Sequence, residues 1–317
     1  MRCLITGGSG FVGRALTSHA LAQGYGVRLP LRRPQTAEQT LGSETVEIGG
    51  LSVETDWTAA LRDVDKIVHL AARVHVMDDA SSDPLAEFRR VNVEATAALA
   101  RQAAVAGVRR FVFLSSIKVN GEFTEAGHPF TADDPPSPED AYGVSKYEAE
   151  LALRQIAADT GMELVIIRPP LVYGPGVKAN FESMMRWLVR GIPLPLSAVT
   201  KNRRSLVALD NLVDLIVTCL NHPAAANHTF LASDGEDLST VQLLKRMGNA
   251  LGHPARLFYM PPSVLKLGAQ VVSKPGIYQR LCGSLQLDIA KTRQLLGWTP
   301  SVAVDEGLQR AAEGFRA

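Results

Sequence analysis

Thr6-Gly7-Gly8-Ser9-Gly10-Phe11-Val12-Gly13 stands almost at the start of the chain. Ahead of it, Cys3-Leu4-Ile5 reads as a short buried strand. Behind it, Val12, Ala15, Leu16 and Ala20 recur at helical spacing. Strand, glycine turn and helix in that order make a cradle for a dinucleotide. Gly7 permits the tight turn, Gly10 the close approach of a pyrophosphate, and Gly13 the packing of helix on strand. The helix start also aims free N–H groups and a partial positive charge at the phosphates. Gly7, Gly10, Phe11, Val12 and Gly13 are therefore expected at a cofactor.

A second strand should end about twenty residues further on, and Gly26 to Leu31 fits. A site preferring NAD would place Asp or Glu there to hold the ribose 2′-hydroxyl. Arg32 and Arg33 stand there instead, and guanidiniums suit a 2′-phosphate. NADP(H) is thus the preferred cofactor, with NAD(H) possible. Further apolar runs near 45–48, 66–70, 110–115 and 163–168 alternate with helical patterns near 57–62, 84–106 and 141–160. Such alternation predicts an α/β fold, a doubly wound parallel sheet of Rossmann type with helices on both faces. Ligands bind beyond the carboxyl ends of such strands, so Leu70-Ala71-Ala72 and Ser115-Ser116 should face the cofactor. Past Arg168, prolines and glycines multiply and strands become scarce. The expected division is a dinucleotide-binding domain over 1–168 and a smaller, mostly helical substrate lobe over 169–317, partly interleaved with the sheet.

Tyr142 and Lys146 are four apart and share one helix face. An unperturbed phenol titrates near pH ~10, and a neighbouring ammonium is expected to lower that. Ser116, at a strand end, can donate a hydrogen bond to a reacting oxygen. Lys plus Arg number 33 and Asp plus Glu 32, a balance that suggests neither a nucleic-acid nor a membrane surface. Cys3, Cys219 and Cys282 are widely spaced, which argues against a disulfide framework or a zinc site and suits a reducing cytoplasm. No apolar run reaches the ~18 residues of a membrane span, and the chain start reads as a strand, not a signal peptide.

Together these residues resemble the extended short-chain dehydrogenase/reductases, nearly along the whole chain. The glycine motif, His69-Leu70-Ala71-Ala72, Val91-Asn92-Val93, Leu114-Ser115-Ser116, Tyr142 with Lys146, and Arg168-Pro169-Pro170-Leu171-Val172-Tyr173-Gly174-Pro175 each match a family segment. Arg203-Arg204-Ser205-Leu206-Val207 and Leu296-Gly297-Trp298-Thr299-Pro300 match the nucleotide-sugar branch. The resemblance implies Ser116, Tyr142 and Lys146 as catalytic residues, with Asn92 as a proton-relay residue. It implies Pro169 in a segment closing over the nicotinamide, and Lys146 also at the nicotinamide ribose. Where many relatives hold adenine with an Asp, Gly49-Gly50-Leu51 stands here, so Leu51 is expected at the cofactor. A UDP moiety would fall to the second lobe, with Asn180, Phe181, Arg204 and Arg280 as candidates and Lys118 near the sugar. His75 is a further polar residue beyond a strand end. A homodimer is usual for the family.

The stretch from Ser115 to Glu122 resembles a subgroup of bacterial surface-polysaccharide reductases. The resulting expectation is NADPH-dependent reduction of the 4-keto group of a UDP-4-keto-6-deoxy-N-acetylhexosamine, giving UDP-N-acetylquinovosamine or UDP-N-acetylfucosamine. Two alternatives stay open: a UDP-hexose 4-epimerase with retained NAD, and a non-catalytic dinucleotide-binding protein.

Overall fold

Parallel strands alternating with helices carry the fold, as the sequence periodicity predicts. The computed structural model describes all residues except 34, 37–39, 41, 75–82, 126, 272–274 and 317; His75 therefore lies outside the described residues. Among the described residues the strands are β1 (Arg2–Thr6), β2 (Gly26–Leu31), β3 (Glu44–Glu47), β4 (Lys66–His69), β5 (Arg110–Leu114), β6 (Glu163–Arg168), β7 (Leu171–Tyr173), β8 (Leu206–Ala208) and β9 (His228–Leu231). The helices of the first half are α1 (Phe11–Ala22), α2 (Thr58–Leu61), α3 (Pro84–Arg89), α4 (Ala95–Val105) and α5 (Ala141–Thr160). Those of the second half are α6 (Ala179–Val189), α7 (Leu209–Asn221), α8 (Thr240–Leu251), α9 (Pro262–Val271), α10 (Pro275–Cys282), α11 (Ala290–Leu296) and α12 (Val304–Arg316).

The main sheet runs β3-β2-β1-β4-β5-β6-β9, every neighbouring pair parallel. Strand order reverses between β1 and β4, which opens a crevice at their carboxyl ends. Its strands are near-continuous apolar runs because helices cover both faces. Cys3, Ile5, Val68, Val112 and Val165 pack on one side with α1 and α7. Leu4, Ile67, Phe111, Phe113 and Ile166 pack on the other with α4 and α5.

The chain past Arg168 returns to the sheet through a strand the sequence reading did not place: β9 pairs with β6, from Val165 opposite His228 to Arg168 opposite Leu231. One feature departs from the sequence reading. The helix expected over 84–106 is broken, because residues Arg90–Glu94 form a π-helical turn between α3 and α4. The second lobe is mostly helical. Its core gathers Phe181, Met185, Leu244, Met247 and Leu308 around the small β7-β8 pair. Phe11, at the start of α1, packs against both this core and the sheet core, so the glycine turn sits at the junction of the two.

Candidate active site

The glycine turn is dense. Gly7 lies at φ +70°, in the left-handed region that glycine enters freely, and a Cβ there would meet the Ala71 nitrogen at 2.8 Å. A Cβ on Gly13 would stand 2.1 Å from the Gly7 carbonyl oxygen. Gly10 caps α1 and donates its N–H to that same carbonyl at 2.9 Å. The cradle therefore tolerates no side chain on its tight side and presents the α1 N-terminus, which is the fit a dinucleotide pyrophosphate needs. Leu70, Ala71 and Ala72 follow β4 directly beside it, held by the Ala71 N–H donating to Thr6 Oγ1 at 3.2 Å. Leu51 is half-buried just past β3. Arg32 and Arg33 follow β2, both exposed and neither in an ion pair among the described residues.

Helix α5 lines up Tyr142, Lys146 and Glu150 at intervals of four on one face. Asp140 caps it, accepting from the Gly143 N–H at 2.7 Å. Lys146 is buried to 2% exposure. Its ammonium stands 4.0 Å from the Phe113 ring centroid and forms no ion pair among the described residues. Burial pushes the Lys146 pKa down to about 7, opposed by the charge of Glu150. The Tyr142 hydroxyl is pushed up to about 12, first by burial and then by Asp140. The expected lowering of Tyr142 by Lys146 does not appear: burial and Asp140 both raise the hydroxyl, and Tyr142 holds its proton at neutral pH.

Ser116 leaves β5 and accepts from the Lys118 N–H at 3.3 Å. The strand pair continues past it, since Ile117 N–H donates to the Pro169 carbonyl at 3.0 Å. Ser116 and Pro169 are thereby held side by side. Beneath them lies a network the sequence reading missed. Ser115 Oγ donates to Glu150 Oε1 at 2.5 Å. Arg168 donates to Glu150 through Nε at 2.9 Å and Nη2 at 2.5 Å, and to Asn120 Oδ1 through Nη1 at 2.9 Å. All four residues are buried. One carboxylate thus ties α5 to the ends of β5 and β6.

A second missed residue is His69, fully buried between Thr6 Oγ1 at 2.8 Å and Thr96 Oγ1 at 2.9 Å. Burial, with Lys146 adding to it, presses its pKa down to about 3, so the ring is neutral and joins β1, β4 and α4. Both networks carry the signature of polar residues inside apolar strands and helices, which is the one trace the sequence offers.

Two expectations change. Asn92 does not present a free relay group. Its Oδ1 accepts from Arg73 N–H at 2.8 Å, and its Nδ2 donates to the Arg73 carbonyl and Ser145 Oγ, each at 3.0 Å. Both amide hydrogens are spent clamping the β4 loop to α5, and the π-turn is what brings Asn92 there. Phe181 does not reach the substrate side: it is 1% exposed and stacks on Tyr173 with centroids 5.4 Å apart. Lys118 stands beside the cap of α5, donating to Glu122 Oε1 at 2.8 Å and Asp140 Oδ2 at 2.5 Å.

The remaining substrate-side candidates scatter over the second lobe. Asn180 is exposed in the first turn of α6, directly after Ala179, whose φ of +59° is strained for an L residue. Arg204 donates to the Gly283 carbonyl at 3.2 Å, and its pKa is lowered by burial with Glu122 opposing. Glu122, the ion-pair partner of Lys118 at 2.8 Å, is thus also felt by Arg204. Arg280 is exposed on α10.

Residues 3–232 match the model of the NAD dependent epimerase/dehydratase family. The UDP-glucose 4-epimerase of Vibrio cholerae is 47% identical over 98% of this chain and 94% of its own. That of Mycolicibacterium smegmatis is 30% identical over 100% of this chain and 99% of its own. A solved structure of MoeE5 in complex with UDP-glucuronic acid and NAD superimposes with a TM-score of 0.78 at 26% identity, covering 100% of this chain and 99% of that one.

Proposed function

The chain belongs to the NAD-dependent epimerase/dehydratase family, and from that premise we propose that it inverts C4 of a UDP-hexose with NAD as a retained hydride carrier. The observation that carries the reading is the 47% identity, over nearly its full length, to the V. cholerae 4-epimerase; the packing of α5, with Tyr142 and Lys146 on one face, beside the turn that follows Ser116 supports it. The solved relative with NAD and UDP-glucuronic acid supports the same cofactor and nucleotide class.

Gly7, Gly10 and Gly13 would hold the pyrophosphate, Leu70, Ala71 and Ala72 the adjoining part of the dinucleotide, and Lys146 and Pro169 the nicotinamide end. Bound there, NAD supplies reversible hydride acceptance. Tyr142 takes the C4 hydroxyl proton in one direction and returns it in the other, as general base and then general acid. Tyr142 rests protonated, so before the oxidation it gives that proton to solvent; the proton it then takes from the C4 hydroxyl is the one it returns. A charged Lys146 favours the phenolate when Tyr142 is deprotonated, and Lys146's own pKa of about 7 lets that charge be present at neutral pH. Ser116 Oγ donates to the C4 oxygen and holds it while charge develops. Arg204, with Asn180 and Arg280, would hold the UDP diphosphate.

A second reading is 4-ketoreduction of a UDP-4-keto-6-deoxy-N-acetylhexosamine by NADPH. One observation favours it: Arg32 and Arg33 are exposed and uncompensated directly beyond β2, where an NAD site carries a carboxylate. The relatives favour the epimerase. The test is to incubate the purified protein with UDP-glucose, and separately with UDP-N-acetylglucosamine, without added cofactor. Proton NMR should show the C4 epimer accumulating to an equilibrium mixture. No epimer from either sugar, with turnover of the keto sugar only when NADPH is added, would reverse the assignment.

A further inference from the structure

Acidic residues are missing from a large part of the second lobe. Residues 183–209 and 238–287 contain eleven Lys or Arg and no Asp or Glu, although the whole chain balances 33 against 32. Acids from outside these stretches pair Arg186 and Arg246, whereas Arg190, Arg256 and Lys266 are exposed and in no ion pair among the described residues. The same stretches leave Trp187, Ile192, Phe258, Tyr259, Val264 and Leu267 in solvent, with Tyr259 72% and Leu267 61% exposed.

Backbone pairing gathers these side chains. Ile192 N–H donates to the Trp187 carbonyl at 3.1 Å, Leu194 N–H to the Arg256 carbonyl at 2.8 Å, and Phe258 N–H to the Leu194 carbonyl at 3.0 Å. The Arg256 guanidinium lies 3.6 Å from where a Cβ of Gly191 would stand. A few residues on, α9 turns Leu265 toward the second-lobe core while Val264, Lys266 and Leu267 stay exposed. Trp187, Ile192 and Phe258 are thus gathered beside Arg256, and Val264, Lys266 and Leu267 extend the exposed apolar and basic surface along α9 a few residues on. An apolar group of this extent is uncommon on a surface without a partner.

We propose that this face docks the protein peripherally on an anionic lipid surface. Its apolar side chains enter the headgroup boundary and its cations meet the lipid phosphates. The charge pattern decides against the other occupants. A second copy docked through the same patch would set cations against cations, since a two-fold interface is self-complementary. A nucleic acid would answer the cations and could stack on Trp187 and Tyr259, but it would leave the aliphatic Ile192, Val264 and Leu267 in water, whereas a lipid boundary takes up both. Docking adds a location to the enzyme and leaves its chemistry unchanged.

The experiment sediments the full-length protein with vesicles of phosphatidylglycerol and phosphatidylethanolamine, and with vesicles of phosphatidylcholine alone. Binding to the anionic vesicles alone is expected, weakening as salt approaches about 1 M, where the Debye length falls to about 3 Å. Tyr259→Ser with Leu267→Ser should lower the partition at least ~10-fold, from the lost apolar burial. Lys266→Glu should lower it by ~5-fold or more. Turnover and the thermal midpoint of both variants should match the parent, which separates docking from folding and from catalysis. No sedimentation with anionic vesicles, equal sedimentation with phosphatidylcholine, or partition unchanged in the variants overturns the proposal. So does a changed association state of Tyr259→Ser/Leu267→Ser in sedimentation velocity, which would mark a self-interface.

Discussion

Replacing Glu150 by Gln tests whether the buried network holds the active site together. The Glu150 carboxylate accepts three hydrogen bonds, at 2.5 Å from Ser115 Oγ, 2.9 Å from Arg168 Nε and 2.5 Å from Arg168 Nη2. The side chains of Arg168 and Glu150 are 4% and 1% exposed. Gln keeps the shape but not the charge, and it turns an N–H toward a guanidinium that can only donate. A buried ion pair broken from one side costs about 3–5 kcal/mol. Unfolding entropy scales as about 2.1 cal/mol/K per residue, so a chain of 317 residues should lose about 5–8 °C in thermal midpoint. Because the same carboxylate ties α5 to the ends of β5 and β6, kcat should fall more than KM rises. The paired change Glu150→Leu/Arg168→Met removes both charges. It should recover most of the lost stability, because no buried ion is left uncompensated. Calorimetry and steady-state kinetics on the three proteins make the comparison. A loss under about 1 kcal/mol in the single variant, or a double variant as unstable as the sum of its parts, refutes the reasoning.

Other consequences follow from single residues. Tyr142→Phe keeps the ring against Phe88, whose centroid is 6.1 Å away, and removes the proton carrier; kcat should fall ~10²–10⁴-fold with NAD retention unchanged, and a near-normal rate would remove Tyr142 from the mechanism. Gly13→Ala forces a Cβ to 2.1 Å from the Gly7 carbonyl, so the purified variant should carry no NAD by absorbance, whereas full retention would show that the cradle is not the binding site. His69 is held neutral with a pKa of about 3 against 6.5 for the free side chain. The unfolded chain binds a proton the folded chain refuses between those values, so His69 makes stability fall as pH drops from 6.5 toward about 3, by about 1.4 kcal/mol per pH unit. In denaturant titrations across that window, His69→Gln should show a shallower slope than the parent by that amount, and identical slopes would contradict the buried neutral ring.

How much of this was legible in the sequence depends on the distance over which each feature is defined. The cradle from Thr6 to Gly13 is local, because a tight turn, a helix start and a close approach fall within eight residues. The Tyr142–Lys146 pair is legible for the same reason, since one helical turn fixes it. Glu150 has meaning only through Arg168 and Ser115, 18 and 35 residues away, and no short-range pattern marks it. β9 was missed because His228-Thr229-Phe230-Leu231 is too short to show a period and owes its place to pairing with β6. Phe181 was misjudged because a motif match fixes position along the chain, whereas the direction of the ring is set by Tyr173 and the second-lobe core. The substrate lobe as a whole reads poorly from sequence, since its candidate polar residues lie far apart along the chain, on α6, in the segment before β8 and on α10.

The central claim is that hydride leaves C4 of a UDP-hexose and returns to the same sugar under control of Tyr142, Lys146 and Ser116. It is tested most directly with UDP-glucose deuterated at C4, incubated with the protein as purified and an excess of unlabelled NADH and NADPH. The account predicts UDP-galactose that keeps its deuterium at C4, with no net oxidation of either added nucleotide. Product carrying protium at C4, or no UDP-galactose alongside stoichiometric NADPH loss with a UDP-4-keto-6-deoxy-N-acetylhexosamine, would contradict it.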